Sequence, residues 1–297
     1  MAHKAFYKYL SNNGAELFTA VFLPDECGKY PVLIYRTPYI DSEGTMSEEE
    51  ICEKRMAEYL PWLDAGYAMV FQHCRGRGRS SGDCAPYLYE REDGLALQAW
   101  IREQDFYNGE LYLHGASYTS SVHLVTAPFA DDIKGAIFEV QDSERYNCNY
   151  RNGFYKMGLH GGWYVGMYKK KSNLKKSYVT DSYRMLPLSD FSKVVFGERV
   201  EDFDEILKHP SKDDAFWNTR YGGVESRDAI KHAKIPILLV TGFYDIYVGG
   251  MFDMWRGLDD ETRSMCALAV HPFDHACQGA LQPINFENGT ISKEFED

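Results

Sequence analysis

Short apolar runs alternate along most of the chain with polar segments in which apolar residues recur at helical spacing. A short apolar run bounded by turn residues indicates a buried strand, whereas helical spacing indicates an amphipathic helix. These patterns predict strands at residues 18–23, 30–35, 67–72, 111–113, 133–140, 235–241 and 265–270. They predict helices at residues 47–60, 92–104, 120–129 and 200–208. Because strands and helices alternate, we expect an α/β fold with a mostly parallel sheet flanked by helices.

Residues 142–230 interrupt this alternation. Strand patterns disappear there, and tyrosine, tryptophan, glycine and lysine become prominent. Strand patterns resume at Ile235. We therefore predict an α/β core formed by residues 1–141 and 231–297, interrupted by an inserted, mostly helical cap at residues 142–230.

The predicted strand at residues 111–113 runs into a Gly-Ala-Ser turn that ends at Ser117. A strand that breaks at Gly-x-Ser and continues as a helix is typical of a nucleophile elbow, in which a strained turn exposes the serine hydroxyl. Only small residues fit beside such a turn, and Gly115, Ala116 and Ser120 are small. The same tripeptide also occurs in ordinary α/β loops, so Ser117 is a candidate nucleophile that needs partners elsewhere in the chain.

Two later strands are each followed by a residue that such a serine requires. Asp245 follows one apolar strand and His275 follows the next. In α/β-hydrolases the nucleophile, the acid and the histidine occur in this order along the chain. We predict that His275 accepts the proton of Ser117 and that Asp245 orients the imidazole. Three alternatives remain open at this point: His271 as the base, and Asp253 or Asp274 as the acid.

Composition and spacing argue against several other classes of function. The 297 residues include 32 Lys and Arg against 44 Asp and Glu, and the net charge of −12 disfavours nucleic acid or an anionic membrane as a partner. The glycine-rich turn at residues 76–82 lacks phosphate-loop spacing. The seven cysteines lack metal-site spacing and indicate reduced thiols, and the first residues lack a signal-peptide pattern. We expect a cytoplasmic protein without a metal or organic cofactor, because the proposed chemistry needs neither.

Taken together, these motifs resemble the cocaine-esterase/glutaryl-acylase (CocE/NonD) family of serine hydrolases, which is related to the Xaa-Pro dipeptidyl-peptidases. The matching segments span most of the chain in the order of the family: Arg36-Thr-Pro-Tyr39, Arg75-Gly-Arg-Gly78 with Ser81-Gly82, Glu92-Asp-Gly94, Trp100, Asn108-Gly109, Gly115-Ala-Ser-Tyr118, His209-Pro210 with Asp213-Asp214 and Trp217, Gly242-Phe-Tyr-Asp245, and His271-Pro-Phe-Asp-His275. The resemblance implies an α/β-hydrolase fold with Ser117 as nucleophile, Asp245 as acid and His275 as base.

The resemblance also implies an oxyanion hole with two donors, the backbone N–H of Tyr118 and the hydroxyl of Tyr39. The amide that follows the nucleophile of an elbow points at the developing oxyanion, which agrees with this assignment. Tyr39 lies on a loop fixed by Pro38, after the strand at residues 30–35. Predicted substrate contacts are the aromatic residues Trp163 and Tyr164 of the insertion and Phe243 beside the acid.

The chain departs from the family pattern at several positions. Ser120 replaces a usual glycine, His73 replaces a frequent aspartate, and His271-Pro272-Phe273 replaces Gly-Pro-Trp. Family members continue into a last helix and a β-rich jelly-roll domain, whereas this chain ends at Asp297. Residues 291–297 are predicted to begin that helix. We expect an apolar face beside residues 265–297 that a second chain or a homo-oligomer partner covers.

Three functions are consistent with these patterns. The first is a serine hydrolase that cleaves a small-molecule ester or amide through an acyl-enzyme. The second is an aminopeptidase that releases Xaa-Pro dipeptides and needs an acidic clamp for a free amino group, for which Glu144, Asp213 and Asp214 are candidates. The third is an inactive hydrolase scaffold that binds a partner chain. The sequence leaves the substrate and the preference for ester or amide open, because both depend on how the insertion folds.

Overall fold

The computed structural model describes residues 3–142, 144–167, 186–276, 280–281 and 284–285. The strands are β1 (Lys4–Asn12), β2 (Ala15–Leu23), β3 (Tyr30–Thr37), β4 (Ala68–His73), β5 (Tyr107–Ala116), β6 (Ile133–Glu139), β7 (Tyr150–Arg151), β8 (Phe154–Tyr155), β9 (Ile237–Tyr244), β10 (Ala267–Asp274), β11 (Ala280–Leu281) and β12 (Ile284–Asn285). The α-helices are α1 (Glu48–Asp64), α2 (Glu90–Arg102), α3 (Tyr118–Leu124), α4 (Arg145–Asn149), α5 (Gly162–Met167), α6 (Phe191–Phe196), α7 (Glu201–Lys208), α8 (Val224–His232), α9 (Val248–Gly257) and α10 (Asp260–Arg263).

Eight strands of the described ranges form one sheet in the order β1-β2-β4-β3-β5-β6-β9-β10. β1 pairs antiparallel with β2, and β2 pairs antiparallel with β4. All the other neighbours in this sheet pair in parallel. The predicted mostly parallel sheet with flanking helices is therefore confirmed. Its parallel strands all end at the same edge, where residues distant in sequence come together.

The buried residues explain why the central strands are continuous apolar runs. All six residues of β4 are buried, and successive side chains of a strand point to opposite faces. Val70 belongs to a core cluster that includes Leu97 of α2, whereas Phe71 belongs to a separate cluster that includes Ile51 of α1. Both faces of the central sheet are therefore covered, which is the environment in which polar–apolar alternation is lost.

Two local predictions differ from the structure. No strand was predicted before residue 18, but β1 pairs along its whole length with β2. β1 is an edge strand without a fully buried residue, so it lacks an apolar run. Asn108-Gly109 was predicted as a turn before the strand, but both residues lie inside β5. The pairing of β3 with β5 shifts register at this point, so a bulge accommodates them within the strand.

The start of α1 agrees with its sequence signal. The Ser47 hydroxyl accepts a hydrogen bond from the Glu50 N–H at 3.2 Å, and the Glu50 carboxylate accepts one from the Ser47 N–H at 2.7 Å. This is the predicted capping box, which satisfies backbone donors that the first turn leaves unpaired. The helix continues past Pro61 to Asp64, so the predicted end at residue 60 was too early.

The chain divides into two compact units. The larger unit comprises residues 1–83, 89–143 and 228–297, and the smaller unit comprises residues 84–88 and 144–227. The sequence placed the insertion at residues 142–230 and did not assign residues 84–88 to it. The smaller unit therefore includes a short segment that precedes α2 in the chain.

The smaller unit contains short helices and the β7–β8 hairpin around an aromatic core. Tyr164 and Phe203 are completely buried in this core, and their ring centroids lie 5.1 Å apart. Arg145 is also buried, donates to the Tyr164 hydroxyl at 2.8 Å and lies 4.7 Å above the ring of Tyr87. Many aromatic residues of the insertion therefore stabilise the unit itself.

An apolar groove of about 380 Å³ lies on the sheet of the larger unit. Trp62 of α1, Met265 and Ala267 contribute to its lining, and Met265 is exposed. The groove lies in the region where an apolar face was predicted. Residues 286–297, including the helix predicted at 291–297, lie outside the described residues. What covers this face stays a prediction.

The described ranges contain no helix that is long and apolar enough to cross a membrane. Within the same ranges, no three His, Cys, Asp or Glu residues form a group that could hold a metal ion. Cysteines 27, 52, 74, 84, 148 and 266, which lie in the described ranges, form no disulfide bond.

Candidate active site

Ser117 lies at a sharp turn between β5 and α3. Its backbone has φ 56° and ψ −127°, a conformation that costs energy for a residue with a side chain. The Ser117 N–H donates to the Glu139 carbonyl of the neighbouring strand β6 at 2.8 Å, which anchors the turn. This strand–turn–helix geometry is the one that the Gly-x-Ser pattern predicts for a nucleophile elbow.

The turn is so tight that the residue at 115 has to be glycine. A Cβ atom there would lie 2.3 Å from the Thr119 carbonyl oxygen and 2.6 Å from the Ser120 nitrogen. Ser120, which stands where the family usually has glycine, is buried and joins two strands. Its hydroxyl contacts the Gly115 carbonyl and accepts from the Glu139 N–H at 3.0 Å. The serine therefore ties the elbow to β6.

Asp245 and His275 are brought together by the register of two parallel strands. Tyr244, the last residue of β9, pairs with Asp274, the last residue of β10. Asp245 and His275 directly follow this pair and therefore lie side by side. Gly242 permits this, because a Cβ atom there would lie 2.0 Å from the Phe273 carbonyl oxygen. The pairing of the strands is irregular between His271 and Asp274, and Gly242 leaves room for that irregular segment.

The three predicted catalytic side chains form one hydrogen-bonded line. His275 Nε2 lies 3.1 Å from Ser117 Oγ, and His275 Nδ1 lies 2.7 Å from Asp245 Oδ1. The Asp245 side chain is fully buried, whereas the His275 side chain is 32% exposed. A neutral imidazole in this position can accept the serine proton at Nε2 while it donates from Nδ1 to the carboxylate.

Two further residues, for which the sequence shows no motif, support the hydrogen-bonded line from Ser117 to Asp245. The Thr241 hydroxyl donates to Asp245 Oδ2 at 3.1 Å, so each carboxylate oxygen has a hydrogen-bond partner. The Tyr247 ring packs edge-on against the His275 ring, with centroids 5.1 Å apart and planes at 86°. Their only sequence signal is proximity to Asp245, at the end of the strand and in the loop that follows.

The alternative acids and base have other contacts. Asp253 forms an ion pair with Arg256 at the protein surface, at 2.9 Å. The Asp274 carboxylate accepts a hydrogen bond from the Ala276 N–H at 2.9 Å, and the His271 ring stacks on Phe273. The hydrogen-bonded line to Ser117 runs instead through His275 and Asp245.

The two predicted oxyanion donors follow neighbouring strands. Tyr118 is the first residue of α3, directly after Ser117. β3 and β5 are adjacent and parallel, and Tyr39 lies two residues past the end of β3. The Tyr39 N–H donates to the Thr37 hydroxyl at 3.0 Å, which orders this loop. The topology therefore puts both residues at the edge of the sheet that carries Ser117.

The side chain of Tyr118 is directed into the protein. It is buried, and its hydroxyl donates to Glu90 Oε1 at 2.8 Å. Glu90 is buried as well, and its Oε2 lies 3.4 Å from Arg36 Nη2. Burial raises the pKa of Glu90 above its usual value, although the Arg36 charge and the Tyr118 hydrogen bond oppose this shift. A glutamate at the start of a helix is usually exposed, so the sequence pattern does not point to Glu90.

The departure at His73 has a structural explanation. His73 is buried, and its Nε2 lies 2.8 Å from a carboxylate oxygen of Glu43. Arg55 and Lys54 contact the other oxygen of Glu43 at 2.6 and 3.1 Å. Burial lowers the pKa of His73 below its usual value, which favours the neutral ring. An ion-paired cluster therefore exists here with a histidine where the family often has an aspartate.

The predicted substrate contacts differ in exposure. Phe243 of the larger unit is 62% exposed beside Asp245. In the smaller unit, Trp163 packs against His160 and Tyr164. Tyr164 has no exposed surface and its hydroxyl is bound by Arg145, so its place is in the core of the smaller unit rather than in a pocket wall. Its size and polarity could not distinguish these two environments.

Comparisons with known proteins agree with this fold. The family model for X-Pro dipeptidyl-peptidase (S15 family) matches residues 13–277. Cocaine esterase from Rhodococcus sp. (strain MB1 Bresler) is 21% identical over an alignment of 287 residues, and the match covers 89% of this chain and 47% of that protein. The chain thus spans about half the length of this curated relative.

Two solved structures extend the comparison. A selenomethionine-labelled α-amino acid ester hydrolase superposes with a TM-score of 0.76 at 19% identity, over 99% of this chain and 52% of that one. A CocE/NonD family hydrolase from Staphylococcus aureus superposes with a TM-score of 0.64 at 18% identity, over 92% and 46%. The predicted α/β-hydrolase fold and the predicted CocE/NonD resemblance are confirmed. With the family model matching most of its length, the chain belongs to the X-Pro dipeptidyl-peptidase (S15) family.

Proposed function

We propose that this chain is a serine hydrolase that cleaves an ester or amide of a small molecule through an acyl-enzyme intermediate. The observation that carries this proposal is the hydrogen-bonded line from Ser117 Oγ through His275 to Asp245. It occurs at a strained turn that holds the serine hydroxyl at the edge of the sheet. Membership of a peptidase family and similarity to an esterase and an ester hydrolase support the same class of reaction.

In the first half of the reaction, Ser117 Oγ attacks the carbonyl carbon of the substrate while His275 Nε2 takes the hydroxyl proton. The carbonyl electrons move to oxygen, which becomes an oxyanion. Asp245 stabilises the imidazolium through its hydrogen bond to Nδ1. When the tetrahedral intermediate collapses, His275 gives its proton to the leaving alcohol or amine, and the acyl group remains on Ser117.

In the second half, a water molecule takes the place of the leaving group. His275 accepts a proton from this water, whose oxygen attacks the acyl carbonyl. Collapse of the second tetrahedral intermediate returns the proton to Ser117 Oγ and releases the carboxylic acid. The partial exposure of His275 supports this role, because water has to reach its Nε2.

The developing negative oxygen needs donors that are already in place. We assign this role to the backbone N–H of Tyr118 and the hydroxyl of Tyr39. The adjacent parallel strands β3 and β5 support the assignment, because both residues follow strand ends at one edge. Phe243, exposed beside Asp245, is the proposed contact for an apolar part of the substrate.

Labelling with a fluorophosphonate tests the proposed nucleophile directly. The reagent phosphonylates a serine that is activated by a neighbouring base, so the wild-type protein is expected to be labelled at Ser117. Ser121→Ala, in the same helix, should be labelled like the wild type, and Ser117→Ala should not react. Peptide mass spectrometry identifies the modified residue. An unlabelled wild-type protein would favour the inactive scaffold that binds a partner chain.

Removal of the Tyr39 hydroxyl is expected to slow catalysis without preventing it. Loss of one oxyanion donor lowers kcat by about 10²- to 10³-fold, equivalent to about 2.7–4 kcal/mol of transition-state stabilisation. Tyr39→Phe should therefore reduce kcat for a p-nitrophenyl ester by this factor with little change in KM. Tyr30→Phe, at the opposite end of β3, is the matched control. Wild-type kcat in Tyr39→Phe would exclude this hydroxyl from the oxyanion hole.

The dipeptidyl-peptidase alternative follows from the description of the family. Two of the predicted clamp acids already contact basic side chains in the smaller unit. Glu144 lies 2.9 Å from Lys212, and Asp214 lies 2.9 Å from His209. Acids that are paired in this way are less suited to bind a free amino group. Comparison of an Xaa-Pro-nitroanilide with an N-acetylated form of the same compound decides between the two, because a peptidase of this type requires the free amine.

A further inference from the structure

The two carboxylate oxygens of Glu90 contact two different segments of the larger unit. Oε1 accepts from the Tyr118 hydroxyl at 2.8 Å, at the start of α3. Oε2 lies 3.4 Å from Arg36 Nη2, near the end of β3. Arg36 Nη1 also donates to the backbone carbonyl of Glu90 at 2.9 Å. A single residue at the start of α2 therefore connects the elbow helix to the end of a neighbouring strand.

These two segments carry the two proposed oxyanion donors. The backbone N–H of Tyr118 belongs to the residue that Glu90 holds through its hydroxyl. Tyr39 is three residues beyond Arg36, and Pro38 between them restricts the backbone. We propose that Glu90 is a positioning residue that fixes the distance between the two oxyanion donors. The inference rests on the proposed function, because an oxyanion forms only if Ser117 attacks a carbonyl.

The composition of this contact favours positioning over simple packing. Burying a carboxylate is costly, and an apolar pair of similar volume often stabilises a protein as well or better. Hydrogen bonds, in contrast, fix an angle and a distance, and Glu90 accepts two of them, from the Tyr118 hydroxyl at Oε1 and from Arg36 Nη1 at its backbone carbonyl. Arg36 is itself held on both sides: its Nε donates to Gln72 Oε1 at 2.9 Å, and its backbone N–H donates to His123 Nε2 at 3.1 Å. The guanidinium therefore presents a rigid surface to Glu90.

Tyr118→Phe isolates one of these contacts. The variant keeps the aromatic ring and the backbone N–H and loses only the hydroxyl that Glu90 binds. Small displacements of catalytic groups cost up to about 10²-fold, so we expect kcat for a p-nitrophenyl ester to fall about 10-fold with KM nearly unchanged. Affinity for an aryl boronic acid, which mimics the tetrahedral intermediate, should fall by the same factor.

Tyr107→Phe is the matched control. Its hydroxyl also donates to a carboxylate, that of the half-buried Asp132 at 2.7 Å, but it lies at the opposite end of β5 from the elbow. It should change the melting temperature without changing kcat or boronate affinity. Glu90→Gln, which keeps the size of the side chain but can place an NH₂ group where a carboxylate oxygen faces Arg36, should lower kcat and boronate affinity in parallel.

A double-mutant cycle separates positioning from a merely structural role. If Glu90 sets the distance between the donors, the loss caused by Tyr118→Phe should be smaller when Tyr39→Phe has already removed the other donor. Additive losses in the cycle would overturn the inference. So would wild-type kcat and boronate affinity in both Tyr118→Phe and Glu90→Gln. Should Tyr118→Phe fail to fold, Glu90→Gln decides on its own.

The proposed function can fail separately from this inference. If fluorophosphonate does not label the wild-type protein at Ser117, both are wrong. If the wild type is labelled and the Tyr118 and Glu90 variants behave like Tyr107→Phe, the hydrolase remains and only the role of Glu90 is wrong.

Discussion

Ser117→Ala is expected to lower the turnover of a p-nitrophenyl ester on the order of 10⁶-fold, to the level of the residual reaction. Alanine removes the attacking oxygen but adds no atom at the strained turn. Because the Ser117 N–H, rather than its side chain, bonds to Glu139, the elbow should keep its geometry. The measurement is the initial rate of nitrophenolate release at saturating substrate, with the melting temperature as a check of folding.

Ser121→Ala is the appropriate control for this variant. Ser121 lies in the same helix, and its hydroxyl contacts Gln141 Oε1 at 3.3 Å rather than a base. It should retain the wild-type rate within a few-fold, in line with the loss of one modest hydrogen bond. If Ser117→Ala keeps substantial activity while it remains folded, the nucleophile is another residue and the assignment of all three side chains fails.

The order of strands and polar residues was sufficient to predict the hydrogen-bonded line. Parallel strands end at one edge of a sheet, so residues that follow such strands come close together even when they are far apart in sequence. Ser117, Asp245 and His275 each follow an apolar strand, and this placement could be read from the chain. Their distances could not, because they depend on the register of β9 with β10 and on the irregular pairing near Gly242.

Residues that support the site were not predictable in the same way. Glu90 begins a helix with two further acids in its first turn, Glu92 and Asp93, and such residues usually face solvent beside the helix dipole. Its burial depends on the tertiary contacts of Arg36 and Tyr118. The hydrophobic pattern indicates the strand ends that carry the candidate catalytic groups, but it does not indicate which polar side chains turn inward beneath them.

The insertion shows a second limit of sequence analysis. Its aromatic residues suggested a substrate pocket, but aromatic side chains are equally suited to the core of a small unit. Tyr164 is completely buried among Phe203, Trp163 and Arg145, whereas Phe243 of the larger unit is largely exposed. Composition gives the number of aromatic residues in a segment, and only packing decides which of them remain accessible to a ligand.

Asp245→Asn is expected to reduce kcat by about 10⁴-fold while the protein remains folded. The Asp245 carboxylate accepts a hydrogen bond from the Nδ1–H of His275 at 2.7 Å. This tautomer leaves Nε2 unprotonated and able to accept the serine proton. An amide can turn its NH₂ group toward Nδ1, which stabilises the tautomer with the proton on Nε2. That tautomer cannot act as the base, and the imidazolium also loses its negative partner.

The Thr241 contact determines how the amide of an asparagine at position 245 is oriented. Its hydroxyl donates to Asp245 Oδ2 at 3.1 Å, so an asparagine can keep its carbonyl oxygen there only by directing its NH₂ group at His275. Asp253→Asn, which loses a surface ion pair with Arg256, should keep wild-type activity. Steady-state rates on the same ester, with fluorophosphonate labelling as a second readout, test both variants. An equal loss of kcat in Asp245→Asn and Asp253→Asn would show that the effect is unrelated to the imidazole. Wild-type kcat in Asp245→Asn would exclude this carboxylate as the orienting acid.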